Sequence, residues 1–485
     1  MIEKILNNRL LVLYLIPFCL GALTVFSFQP FNLSFLNFFI LPIFFLLIVY
    51  VNKRSKSTYR KKPFRRNLFL LGFIFGFGYY LSGIFWIAHS LTFDDNFKIL
   101  IPFAIFFIPL FLGLFTGLTV FIIGQFLNYN FSSLLLFSGS IAFSDFIRGK
   151  ILTGFPWNLW SYSWSWFTEF LQILNLIGLY SFNLIVITLF TIPAVLFFRI
   201  KEFKKVLILS FSILIFFLFY LFGTFKINTN KAIINYLKKD DKIYTKVVSP
   251  NFKLEYNTSI LQIEKKLKKL IKFSEPDPQK DTLFIWPEGI FAGYTFKEIS
   301  QFSNLIEKNF NKNHYILFGV NTLKEEESKY YNSLVLVDHK LNVLTKYNKI
   351  KLVPFGEFLP FETFLSKIGI KKITQGHGSF SKGGSQKNLV INNLNILPMI
   401  CYEIIFTELV QKAEKKTNLI INISEDAWFG NTIGPHQHFA KAIFRSIESD
   451  TFLIRSANKG FSSIISNKGE IIKKLNINEE GSIEM

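Results

Sequence analysis

The stretch Ile396-Leu397-Pro398-Met399-Ile400-Cys401-Tyr402-Glu403 decides how the C-terminal half of this chain is read. A short apolar run has the length and composition of a buried strand, and a thiol and a carboxylate follow at its tip. Working outward, further β-rich runs occur at 246–248, 282–286, 315–319, 333–337 and 419–423. Segments with helical periodicity lie among them at 257–274, where Leu261, Ile263, Leu267, Leu270 and Ile271 form one apolar stripe, and at 434–449. Strands alternating with helices predict a layered α/β domain.

Upstream of residue 225 or so the pattern is different. Half of the 485 residues are hydrophobic, and 61 phenylalanines stand against 3 methionines. Most of that apolar character is concentrated in long runs near the N-terminus, at 10–28, 34–51, 68–88, 99–125, 132–147, 179–198 and 206–224. A crossing of a hydrocarbon core about 30 Å thick takes roughly 20 apolar residues, so these runs predict about seven transmembrane helices. No small-residue cleavage site follows the first run and a second begins directly after it, so it reads as a retained helix and not a signal peptide. The expected organisation is a transmembrane domain at 1–225, a linker at 226–242 and a catalytic domain at 243–485.

The formal net charge of +21 raises the question of nucleic acid. The densest basic run, from Lys53 to Arg66, is wedged between two apolar segments, where it reads as a determinant of membrane topology, and no nucleic-acid partner is expected. With Lys4 and Arg9 cytoplasmic, the basic loops at 52–66 and 199–205 also fall on the cytoplasmic side, and seven crossings deliver the C-terminal half to the other. Losing the fifth run, which is short and ends in Asp145, Arg148 and Lys150, reverses that last step. The aromatic stretch from Gly154 to Trp166 reads first as an interfacial belt and second as a lipid-facing wall near an active site. Cys19 and Cys401 lie in different halves, so no disulfide is expected, and Cys19 reads as inert packing.

Three strand-associated segments carry reactive groups. Glu288 follows the run 282–286, Lys349 opens the Pro/Gly-containing segment from Ile350 to Pro360, and Cys401 follows 396–400. A thiolate that attacks a carbonyl, a carboxylate that manages the proton and a cation that supports the oxyanion are the parts of covalent acyl transfer. Taken singly, Cys401 is a small hydrophobe and Glu288 with Lys349 a surface pair; their joint placement gives the reading its weight. His436 and His438, two apart on the expected helix, point away from each other, so neither a metal site nor a cofactor is expected.

Trp286-Pro287-Glu288, Tyr347-Asn348-Lys349, Leu352-Val353-Pro354-Phe355-Gly356-Glu357-Phe358, Cys401-Tyr402-Glu403, Asp426-Ala427-Trp428-Phe429-Gly430 and Gly434-Pro435-His436-Gln437-His438 occur in that order behind a polytopic anchor. In this the chain resembles the apolipoprotein N-acyltransferases, membrane-embedded members of the nitrilase superfamily. The resemblance extends to Gly154-Phe155-Pro156-Trp157, Arg445, Glu448 and Ala457-Asn458-Lys459-Gly460, and so covers nearly the whole chain. It implies a four-layer αββα nitrilase-like domain and a triad of Glu288 as general base, Lys349 as oxyanion and thiolate stabiliser, and Cys401 as nucleophile. Glu357, Tyr402 and Glu403 match further motif positions near the site, with the Tyr402 N–H as a second oxyanion donor. It also implies a phospholipid acyl donor, a diacylglyceryl apolipoprotein acceptor and a bacterial inner membrane with the catalytic domain on the periplasmic side.

Three departures accompany the resemblance. The sequence ends at Met485, before the final strands and closing membrane helix that the family leads one to expect. A tryptophan is absent from the loop 249–256, where Tyr256 is the substitute. Glu425 stands where an asparagine is usual. Two other classes remain open at this point: a membrane-tethered amidase or nitrilase with water as acceptor, and an inactive polytopic scaffold with a degenerate catalytic domain.

Overall fold

A computed structural model describes residues 6–58, 63–237, 243–256, 258–365 and 379–485 of the chain. It divides into two compact units, Met1–Ile227 and Asn228–Met485.

The first unit is helical, and every expected span falls on a helix. Leu11–Ser27 is a short apolar helix. It is followed by Asn37–Thr58, Pro63–Ile84, Ile101–Ile123, Phe131–Arg148, Leu174–Thr191 and Glu202–Leu237. Among the described residues, five helical segments are long and apolar enough to cross a membrane, and Leu11–Ser27 and Phe131–Arg148 are not among them. Helices Pro63–Ile84 and Ile101–Ile123 approach closely where glycines meet. A Cβ on Gly76 would lie 3.0 Å from Gly113 Cα, and a Cβ on Gly113 3.0 Å from the Phe77 nitrogen. Backbones pack this tightly in membranes when small residues line the seam.

Three expectations for this half need correction. Residues 226–237, expected as linker, continue the helix Glu202–Leu237. From Lys226 to Leu237 there is neither glycine nor proline, so nothing in the sequence breaks it; 238–242 lie outside the described residues. The aromatic stretch is not a belt: Trp157, Trp160, Tyr162 and Trp164 are buried, and Trp166 is exposed. Trp157 packs 4.6 Å from Trp86, and Trp160 stacks 5.1 Å from Tyr79. A buried ion pair beneath the stretch, Arg148 Nη2 to Asp145 Oδ1 at 2.9 Å, is completed by Asn183, which donates to Asp145 at 3.0 Å and accepts the Ser161 N–H at 3.0 Å. Cys19 is exposed and not packed.

The second unit contains β1 (Tyr244–Ser249), β2 (Thr282–Ile285), β3 (His314–Lys324), β4 (Lys329–Val337), β5 (Val343–Asn348), β6 (Leu389–Ile391), β7 (Leu394–Ile400), β8 (Leu419–Glu425), β9 (Phe452–Asn458), β10 (Ser462–Ile465), β11 (Ile471–Leu475) and β12 (Gly481–Glu484). They form two six-stranded sheets, ordered β12-β1-β2-β3-β4-β5 and β11-β10-β9-β8-β7-β6. Within them, β1, β2 and β3 run parallel, as do β7, β8 and β9. Within the last residues before Met485, β11 pairs with β10 and β12 pairs with β1.

Alternation along the strands divides the core in two. Val247, Leu283, Ile285, Leu317, Leu334 and Leu336 meet Ile396, Ile400, Ile421, Ile423 and Ile454 between the sheets. Their neighbours Val248, Phe284, Trp286, Ile316, Phe318 and Val335 face the helix Ile260–Ser274 through Ile263, Leu267 and Leu270. That helix begins at a capping box of Ser259 and Gln262, so it starts at Ile260, three residues after the expected 257. The helix Gly434–Ser449 belongs to the second sheet, and the order helix, sheet, sheet, helix is the expected four-layer sandwich.

Candidate active site

Glu288, Lys349, Cys401 and Asp426 follow the carboxyl ends of β2, β5, β7 and β8, the edge at which α/β sheets present reactive groups. Cys401 ends β7 abruptly. It has φ +50° and opens the short helical turn Cys401–Ile405, a left-handed conformation that costs a non-glycine residue roughly 1–2 kcal/mol and marks a functional turn when the surroundings enforce it.

The three expected triad residues come together, all buried. Lys349 Nζ donates to Glu357 Oε1 at 2.8 Å and stands 3.5 Å from Glu288 Oε1. Asn332 on β4 bridges the carboxylates, its Nδ2 donating to Glu288 Oε1 and to Glu357 Oε1 at 2.7 Å each. Glu288 Oε2 accepts the Glu425 N–H at 3.0 Å, and Glu357 Oε2 accepts the Val353 N–H at 2.9 Å. Gly289 is required beside this cluster: its φ is +75°, and a Cβ there would meet Glu425 Oε2 at 2.5 Å.

The electrostatics define which groups are charged at rest. Burial pulls the Lys349 ammonium down, but the charges of Glu288 and Glu357 more than offset it and hold the lysine well above its ordinary value. Burial pushes the Cys401 thiol well up, the Glu288 charge adds to this, and Lys349 lowers it only in part. The resting site therefore holds a thiol beside an ammonium and carboxylates, so attack needs a base to take the thiol proton.

The other expected residues divide by what they touch. Glu403, fully buried, binds no reacting group; its Oε1 accepts the Tyr347 hydroxyl at 2.8 Å and the N–H groups of Ile350 and Lys351 at 2.7 and 3.1 Å, and its Oε2 accepts the Ile400 N–H at 2.8 Å. It ties the segment after Lys349 to the turn that carries Cys401. Tyr402 lies on that turn, its ring 5.1 Å from Phe406. Tyr256 is half-buried, 6.3 Å from the Trp428 ring. Burial, then the charges of Glu425, Glu288 and Glu357, hold its phenol well above the usual value, so the hydroxyl stays neutral.

Asn332 was not legible as a site residue, because an asparagine within a strand has no motif of its own. Glu425 is legible only as a departure. Its carboxyl accepts from Asn458 Nδ2 at 3.0 and 2.9 Å and from the Ala427 N–H at 3.1 Å. Burial nevertheless raises it well above the carboxylate range, and the charges of Glu288 and Asp426 push the same way. Behind Cys401 lies a further buried group: Asp426 Oδ1 accepts from Ser424 at 2.6 Å, and Arg455 Nη2 reaches Asp426 Oδ1 and Oδ2 at 2.9 and 2.8 Å. His436 packs separately, its ring 5.0 Å from Phe461.

The model of the apolipoprotein N-acyltransferase N-terminal domain matches residues 20–192, and that of the carbon-nitrogen hydrolases matches 256–484. An apolipoprotein N-acyltransferase of Rickettsia typhi is 31% identical over 97% of this chain and 91% of its own length. One from Rhizobium leguminosarum bv. trifolii is 30% identical over 86% of this chain and 79% of its own. One from Rhodopseudomonas palustris is 29% identical over 96% of this chain and 87% of its own.

Proposed function

The chain belongs to the apolipoprotein N-acyltransferase family, a membrane acyltransferase of lipoproteins, and from that premise we propose that it works through a thioester on Cys401, with Glu288 as base and Lys349 as oxyanion support. The observation that carries this reading is the enclosure of one buried ammonium by two carboxylates, at 2.8 and 3.5 Å, electrostatically coupled to a buried thiol on a strained turn.

In the first half-reaction Glu288 takes the Cys401 proton as the sulfur attacks the ester carbonyl of a phospholipid. The tetrahedral oxyanion is met by the Lys349 ammonium and the Tyr402 N–H. Collapse breaks the ester C–O bond, and the lysophospholipid leaves with the proton from Glu288. In the second, the α-amino group of a diacylglyceryl-cysteine attacks the thioester and gives its proton to Glu288. Collapse then expels the Cys401 sulfur, which recovers that proton, and an amide remains. Glu357 holds Lys349 in place, Glu403 fixes the geometry of the turn, and Tyr256 caps the cluster with a neutral hydroxyl. Both substrates reside in a bilayer, which gives the membrane half its purpose.

The domain that carries the site is read as 243–485, on the periplasmic side of a bacterial inner membrane. Support for this side comes from Lys4, Arg9 and the basic loops at 52–66 and 199–205, which fall together on the opposite face when seven helices cross. Protease digestion of intact spheroplasts should release the catalytic unit; protection until the membrane is opened would reverse the assignment.

The chemistry is tested by intact-protein mass spectrometry after incubation of the membrane-purified enzyme with phospholipid. A hydroxylamine-labile fatty-acyl increment is expected in the wild type and not in Cys401→Ala. A folded wild-type protein that gains no increment would overturn the thioester.

A further inference from the structure

The Cys401 backbone carbonyl points into a fully buried polar group that the acyl-transfer scheme leaves unused. His438, on the helix Gly434–Ser449, has Nε2 3.3 Å from the Cys401 oxygen. A carbonyl supplies no proton, so this contact requires the hydrogen on Nε2. Nδ1 then accepts from Arg455 Nη2 at 3.0 Å, and the same guanidinium covers Asp426, whose Oδ1 lies 3.0 Å from Nδ1. Arg455 thus bridges two groups whose lone pairs face each other, and Asn422 takes its other terminal nitrogen. His438, Asp426 and Arg455 are each at most 1% exposed. A ring held on both nitrogens inside a packed core has little freedom to turn.

The carbonyl of Cys401 and the N–H of Tyr402 belong to one peptide unit. That unit is planar and trans, so its C=O and N–H point in opposite directions. Whatever fixes the carbonyl also fixes the direction of the amide hydrogen. We propose that His438 is a positioning residue for acyl transfer: by holding the Cys401 carbonyl it aims the Tyr402 N–H at the oxyanion and maintains the left-handed turn at the nucleophile. The proposal rests on Cys401 being the nucleophile. It assigns His438 no proton transfer and no contact with substrate. Burial first, then the neighbouring Arg455 charge, pushes its imidazole down to about 4, which agrees with a neutral ring that serves as a fixed donor.

The test compares two polar variants of the full-length enzyme in detergent with added phospholipid. In His438→Gln the amide nitrogen reaches the position of Nε2, whereas in His438→Asn it stops near that of Nδ1. Rapid-quench mass spectrometry gives the single-turnover rate of acyl-enzyme formation, and iodoacetamide alkylation of Cys401 serves as a reaction with no oxyanion. His438→Asn is expected to slow acylation by about 10²-fold, the usual cost of a misplaced oxyanion donor, with alkylation little changed, while His438→Gln recovers most of the rate. Equal acylation rates in the two variants, whether both retained or both lost, would overturn the proposal, as would parallel losses of acylation and alkylation. Cys401→Ala separates the two readings: a labile acyl group still forming on that variant would sink the nucleophile assignment itself.

Discussion

Lys349 is bound more closely by Glu357 than by Glu288, at 2.8 against 3.5 Å. The shorter pair orients the ammonium, and the longer one leaves Glu288 less committed to it, as the base of the proposed mechanism requires. The two carboxylates should therefore differ under the same conservative change. Glu288→Gln is expected to lower single-turnover acylation by about 10³-fold, within the range of a lost general base. Glu357→Gln keeps an oxygen for Lys349 and should cost about tenfold, the share of its lost charge in holding the ammonium. Equal losses in the two variants would show that the roles are not divided in this way.

Removal of Glu403 should act on stability before chemistry. Glu403→Ala strips acceptors from three backbone N–H groups and a tyrosine hydroxyl, all in or near the core. At roughly 1–3 kcal/mol for each buried group left without a partner, the catalytic unit should lose several kcal/mol. Thermal unfolding followed by intrinsic fluorescence reads this directly. A melting temperature unchanged from wild type would contradict it.

His438 links stability to pH. Its ring is neutral when folded, with burial taking it from 6.5 down to about 4, so the unfolded chain binds a proton that the folded one does not across that interval. The contribution is complete above about pH 6.5 and is lost as pH falls to about 4, by at most about 3 kcal/mol. Melting curves at pH 7, 5.5 and 4.5 should show wild type losing more than His438→Gln, which has nothing to titrate there. Parallel curves would remove this residue from the acid response.

In the membrane half, Gly76→Val should disrupt the seam with Gly113. The added Cβ meets backbone at 3.0 Å, and Thr116 is as near on the same side. Separation of the two helices should cost about 1–3 kcal/mol and lower the aggregation temperature in detergent. Gly139→Ala is the control, since no atom lies within 4 Å of a Cβ there.

Much of this structure is legible before any coordinates. All six strands read from apolar runs are present: five lie in parallel pairs and are buried on both faces, and β4, antiparallel to both neighbours, is buried along 332–337 as well. β9 escapes the same reading: Phe452–Asn458 carries Arg455, and a charge within a strand looks like a loop until Asp426 and Asn422 are seen to neutralise and bind it. That Glu288, Lys349 and Cys401 meet was legible through their motifs, whereas Asn332 and the His438 contact arise from pairing across strands and helices that no local spacing records. The tryptophan-rich stretch misleads for a related reason. Composition gives its affinity for an interface, but the buried Asp145–Arg148 pair and its Asn183 partner give its position.

The four hydrogen bonds to Glu403 have a kinematic consequence. Ile350 and Lys351 are fastened to the same carboxylate as Ile400, so the ammonium and the sulfur travel together. Glu357, gripping Lys349 and Val353, joins that moving body. If two bulky lipids enter and leave in turn, as the proposed cycle has it, the ammonium and the sulfur keep their spacing whichever part of the surface gives way.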